Sequence, residues 1–184
     1  MERPQSKFRF ERKYNLSLKE WGPLMHNVVK SGLKIHHPPR SINNLYCDTL
    51  SRDAYFENVE GLSERKKYRI RWYGTRLGRI KPTLEIKIKQ EYVNKKQSAK
   101  LPKFELQSLA DIDSFYKKSL QFLEKEQLPL FYLMCNKFPL LINGYERVYY
   151  ISECKTTRLT IDKNLRFYNV LTKRSTLLLD NIIV

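Results

Sequence analysis

The chain has 184 residues, with 35 Lys and Arg against 19 Asp and Glu, a formal net charge of +16 and a pI near 9.8. A hydrophobic share of 41% excludes wholesale disorder, and no apolar run approaches the length of a bilayer span. Three widely spaced cysteines, Cys47, Cys135 and Cys154, form neither a disulfide framework nor a zinc site.

Elements follow in chain order. Phe8 to Tyr14 alternates, with Phe8, Phe10, Arg12 and Tyr14 on one face and Arg9, Glu11 and Lys13 on the other, which predicts a strand. Ser17 followed by Glu20 reads as a capping box that opens a helix to about Lys30. His36-His37-Pro38-Pro39 reads as a loop, Ile42 to Asp48 as a strand, and Ser51 to Asn58 as a short helix closed near Gly61. Lys67 to Tyr73 alternates strictly: Tyr68, Ile70 and Trp72 on one face, Lys67, Arg69 and Arg71 on the other. After a turn at Gly74 to Gly78, Leu84 to Lys89 repeats the pattern with Glu85, Lys87 and Lys89. Val93 to Leu101 is a basic loop or strand. Ser108 to Glu126 carries Leu109, Ile112, Phe115, Tyr116, Leu120 and Leu123 at helical spacing, and Pro129 to Phe138 is a second helical piece. Two further strands run over about Ile142 to Ile151 and Thr156 to Phe167, and Leu177 to Val184 opens or edges another.

A net charge this large implies an anionic partner. Cations at alternate strand positions repel unless an anion sits among them. In a barrel the same pattern turns a charged face inward and leaves the apolar face to be covered by helices. For any one strand the pattern also reads as a solvated outer face; if the charged faces turn inward, the fold is α+β, an antiparallel β tunnel barrel flanked by helices, built from residues 1–184 as one domain.

The motifs Glu11-x-Lys13-Tyr14, Lys67-Tyr68-Arg69-x-Arg71-x-Tyr73-Gly74, Glu85-x-Lys87, Tyr145-x-Arg147 and Arg158-x-Thr160-x-Asp162 occur in that order. This order resembles the VTC domain, the polyphosphate polymerase branch of the CYTH-like triphosphate tunnel metalloenzymes. The resemblance implies transfer of the ATP γ-phosphate onto a polyphosphate chain inside a basic tunnel. It assigns Lys13, Arg69, Arg71, Lys87, Arg147 and Arg158 to catalysis and phosphate binding. It adds a phosphate-binding lysine at Lys95, with Lys96 nearly equivalent. It implies Mn2+ or Mg2+, with Glu11 and Glu85 as the carboxylates present. The family's main metal carboxylate lies on a late Leu-Glu-x-Lys strand, and the sequence ends at Asp180 to Val184, about where that strand begins. The expectation is a barrel lacking its last strands, which binds phosphate chains better than it turns them over.

Phosphoryl transfer needs positioning and charge more than covalent groups, and Arg and Lys supply both. A terminal phosphate oxygen is already anionic, so no general base is required. Six glycines and no Gly-rich loop disfavour a P-loop. His36 and His37 read as loop rather than metal ligands, Cys47, Trp21 and Trp72 as packing residues, and Asp162 as the partner of a neighbouring cation. Expected partners are ATP or another triphosphate and polyphosphate, with no nucleic acid, in the cytoplasm. Two alternatives stand beside the polymerase: a non-catalytic module that grips polyphosphate, inositol phosphates or a nucleotide, and a triphosphate hydrolase of the same superfamily.

Overall fold

The computed structural model describes residues 11–91, 93–178 and 180–184. The predicted strand from Phe8 falls partly outside them. Its remainder, residues 11–14, is irregular, and the first strand is β1, Asn15–Ser17. The Ser17–Glu20 capping box forms as expected: the Ser17 amide donates to Glu20 Oε2 at 2.8 Å. It opens a single 3-10 turn that passes into α1, Trp21–Lys30.

β2 (Lys34–Asp48) is longer than predicted and takes in His36 to Pro39. The prolines fit because that stretch pairs with only one neighbour, across register shifts, so their missing N–H groups interrupt no second ladder. α2 (Asp53–Val59) leads to β3 (Glu64–Tyr73), and β4 (Gly78–Ile80) precedes β5 (Thr83–Gln90). Val93–Lys100 is a strand, β6. β7 (Phe104–Leu106) pairs with β4 in a separate two-stranded sheet that the sequence did not announce. α3 (Ile112–Glu126) buries Ile112, Phe115, Tyr116 and Leu123, the predicted stripe. α4 (Leu128–Met134) stops short of Phe138, which instead starts β8 (Phe138–Ile151). β9 (Arg158–Asn169), β10 (Arg174–Leu178) and β11 (Asn181–Ile183) complete the fold.

Among the described residues one antiparallel sheet runs β1-β11-β9-β8-β2-β3-β5-β6, with β10 on β9. The α+β class and the flanking helices match the expectation; the closed barrel does not appear. The sheet is open, with β1 and β6 as its ends. The two ends offer little reason to close: β1 has three residues, and β6 is almost wholly exposed and carries Lys95, Lys96 and Lys100.

One face of the sheet is covered. Leu45, Cys47, Tyr68, Ile70, Trp72, Leu84, Ile86 and Ile142 are buried against Ala54 of α2, Phe115 and Tyr116 of α3 and Met134 of α4. Further along, Tyr150 and Ile161 pack on Val28 of α1. Each buried side chain of this kind contributes about 1.5–3 kcal/mol. Period-two alternation then sends Lys67, Arg69, Arg71, Glu85 and Lys87 to the other face.

Candidate functional site

The antiparallel register sets the charged face. Arg69 lies opposite Glu85, Lys67 opposite Lys87, and Lys87 opposite Lys96. Arg71 lies opposite Asn44, and Asn44 opposite Asn143. Five adjacent strands, β6, β5, β3, β2 and β8, thus place long polar side chains in one phase.

Glu85 is the hub. Only 6% of it is exposed. Arg69 Nε donates to Oε2 at 2.8 Å, Lys96 Nζ donates to Oε1 at 2.6 Å, and Arg71 Nη1 stands 3.7 Å from Oε2. Burial pushes the Glu85 carboxyl up, but the Lys96 hydrogen bond and the Arg69 and Arg71 charges outweigh it and hold the pKa at about 2. Arg71 Nε also donates to Asn44 Oδ1 at 2.8 Å, while Asn44 Nδ2 donates to Asn143 Oδ1 at 2.8 Å. Asn44 is fully buried, so this chain fixes the Arg71 guanidinium.

Beside this hub lies a cavity of about 700 Å³ lined by Lys13, Arg65, Lys67, Lys87, Lys89, Lys95 and Lys96, with Glu11 as its one lining carboxylate among the described residues. Burial lowers the pKa of Lys67, helped by the charges of Lys13, Arg65 and Arg69. Burial also lowers Lys87, with Arg69 and Arg71 adding to the effect. The cavity thus holds ammonium groups against their own repulsion, which is the electrostatic state that an anion relieves.

The predicted residues divide into three groups. Lys13, Lys87 and Lys95 line the cavity, and Arg69 and Arg71 sit at the hub. Lys95 lies opposite Ile88, in the phase of the covered face, whereas Lys96 lies opposite Lys87 and reaches Glu85. Arg147 is engaged elsewhere: its Nε and Nη2 donate to Asp162 at 2.6 and 2.7 Å. Asp162 is thus paired with a neighbouring cation, as expected, and that cation is Arg147. Arg158 is exposed and lies opposite Ile151 at the far end of the same face. There Arg40 stands 5.9 Å from the Tyr73 ring centroid and 5.8 Å from that of Tyr149. Between the two charged ends lies an apolar patch of Ile42, Tyr145, Leu165 and Phe167.

Sequence reasoning left out Lys67, Lys89, Arg65 and Arg40 as site residues. The first two share the phase of Arg69 and Lys87, so the two-residue period already pointed to them. The role of Asn44 had no signal, since a buried Asn between apolar neighbours looks like any strand residue.

The carboxylates do not fit a divalent cation on their own. Both Glu85 oxygens accept from cationic donors, and Glu11 is exposed with Oε1 3.4 Å from Lys13 Nζ. No cluster of three or more His, Cys, Asp or Glu occurs among the described residues. Hard cations need several free oxygens. Nor is any helix of the described residues long and apolar enough to cross a membrane.

A comparison with curated proteins gives no match. A family model, VTC domain, matches residues 7–181. That span takes in the hub, the cavity and the Arg147–Asp162 pair, and the chain therefore belongs to the VTC domain family.

Proposed function

We propose that this chain is a polyphosphate polymerase-like phosphotransferase that binds ATP and a polyphosphate chain along the charged face of the sheet. Membership of the VTC family supports a polyphosphate-related role within the tunnel-enzyme superfamily. The observation that carries the reading is the cavity lined by seven cations and one carboxylate, next to two arginines held by Glu85. In this reading the charged face is one wall of a phosphate tunnel.

The chemistry follows from the residues. Lys67, Lys87 and Lys96 neutralise phosphate oxygens as compact charges, and Arg69 and Arg71 offer planar forks to the transferring group. A terminal oxygen of the polyphosphate chain attacks Pγ of ATP. The new Pγ–O bond forms as the bond to the β-phosphate oxygen breaks, and ADP leaves with that electron pair. No proton must be removed from the nucleophile. Spread negative charge in the transition state is met by fixed cations rather than by reorganising water. Mn2+ or Mg2+ belongs to the proposed reaction, but Glu85 and Glu11, as they stand among the described residues, do not hold it unaided, so every role above rests on Lys and Arg.

The test is polyphosphate yield from ATP in the presence of manganese. Synthesis that falls at least tenfold in Arg71→Ala supports the reading. Tight binding of tripolyphosphate without polyphosphate formation supports a binding module instead, and release of free phosphate alone supports a hydrolase.

A further inference from the structure

The covered face carries a second pair of cations that the charged face does not use. Arg166 of β9 lies opposite Gly144 of β8, in the phase of the helices. Arg76 belongs to the turn between β3 and β4. That turn is tied down over the same spot: Trp72 Nε1 donates to the Thr75 carbonyl at 3.2 Å, and Asn43 Nδ2 donates to the Gly74 carbonyl at 3.0 Å. Asn43 is buried and lies opposite Gly144. A side chain at Gly144 would bring its Cβ to 3.0 Å from Asn43 Oδ1, so glycine keeps the floor of this spot clear. The Arg76 guanidinium stands 5.9 Å from the ring centroid of Tyr168, two residues along β9 from Arg166.

Neither guanidinium makes a hydrogen bond among the described residues. Nε and Nη2 of Arg76 and Nε of Arg166 are buried without a partner. Burial lowers the pKa of Arg76, and the Arg166 charge lowers it further, so the two cations oppose each other. Glu146, two residues along β8 from Gly144, accepts instead from Asn164 at 3.1 Å. Buried charged donors are normally paired, and an orphaned one costs more than an absent one. Two arginines beside a tied turn and a bare glycine floor make an arrangement that a doubly charged oxyanion completes. A carboxylate supplies one charge; a phosphate group supplies two and enough oxygens for both forks.

We propose that Arg76 and Arg166 form a second anion site, on the helix-covered side of the sheet, that takes a phosphate group. The group is either free inorganic phosphate or the end of a longer phosphate chain. The site is distinct from the charged face: Arg166 is in the opposite strand phase from Arg147 and Asp162.

The experiment follows the side-chain Nε–Hε signals of the arginines by NMR in the Lys67→Ala/Lys87→Ala double variant, which weakens the charged face and leaves the Glu85 ion pairs in place. Inorganic phosphate is added to about 20 mM, enough to saturate a millimolar site. The Arg76 and Arg166 signals move together to saturation with one dissociation constant, and Arg147 stays still. Arg76→Gln weakens the Arg166 response at least tenfold, and Arg166→Gln does the same to Arg76. Each variant removes an opposed charge and is expected to fold, which the dispersion of its amide signals checks. Tripolyphosphate in place of inorganic phosphate separates the sources: tighter binding by tenfold or more assigns the end of a chain, and equal affinity assigns the free ion. Arginine signals that do not move, or an Arg166 response unchanged in Arg76→Gln, overturn the proposal. Because the charged face is already disabled, this outcome is independent of whether the polymerase reading stands.

Discussion

Replacing Glu85 with Gln tests the electrostatic hub. Gln keeps the shape and an acceptor oxygen but loses the charge, as protonation does. The Glu85 pKa is held at about 2 against an ordinary 4.5. That difference corresponds to roughly 3 kcal/mol of folded-state stability at neutral pH. For a domain of this size, it lowers Tm by about 6–12 °C. The contribution is fully present above the ordinary carboxyl value of 4.5 and fades as pH falls from there towards about 2. The variant should therefore differ most from the native chain at neutral pH and converge with it in acid. In the variant, Arg69, Arg71 and Lys96 face one another with no counter-charge. A bound phosphate chain supplies that charge. Calorimetric melting with and without tripolyphosphate should show a large deficit without the anion and a much smaller one with it. Tripolyphosphate should also bind the variant more tightly, by about 1–2 kcal/mol, since one opposing charge is gone. An undiminished Tm in Glu85→Gln, or a deficit that tripolyphosphate leaves unchanged, refutes the assignment of Glu85 as the counter-charge of an anion site.

Four other outcomes follow from the structure. Arg69→Ala and Arg71→Ala each weaken tripolyphosphate binding by about 1.5–3 kcal/mol, the range for hydrogen bonds to charged groups. Arg12→Ala leaves binding within error; calorimetry reads all three. Lys96→Ala costs more affinity than Lys95→Ala, because only Lys96 shares the strand phase of Lys87. Lys67 and Lys87 are held below the ordinary lysine value of 10.5, so affinity begins to fall at a lower pH than isolated lysines would give. A flat pH profile up to that value contradicts this. On stability, Asp48→Ala costs about 1–3 kcal/mol in urea unfolding, because its carboxylate accepts from the Ala54 and Tyr55 amides at 3.0 and 2.9 Å and caps α2.

Legibility in the sequence followed periodicity. The strands of Lys67 to Tyr73 and Leu84 to Lys89, and the helix of Leu109 to Leu123, have strong repeats, and their faces came out in the predicted phase. The β2 extension through Pro38 and Pro39 was hidden because proline signals a break, while its tolerance depends on which neighbour strand is absent. β4 and β7 are three-residue pieces with no repeat to read. Closure into a barrel is a long-range matter of edge against edge, which alternation within a strand does not encode. At the site, phase located Arg69, Arg71 and Lys87. It could not tell that Glu85 is spent on cations instead of standing free for a metal, or that Arg147 is held by Asp162. Those facts depend on cross-strand register. Lys95 and Lys96 show the limit most plainly, since adjacent residues of one type are separated only by the register of β5 against β6.

The most direct measurement is a calorimetric titration of tripolyphosphate into the native chain and into Lys67→Ala/Lys87→Ala. The two lysines lie opposite each other, line the charged cavity and are not members of the buried core. The account predicts one saturable site in the native chain and a loss of about a hundredfold or more in the double variant, two lost charge contacts of at least ~1.5 kcal/mol each. Equal affinity in the two proteins, with both folded, would place the anion elsewhere and contradict the assignment of the charged face as the phosphate site.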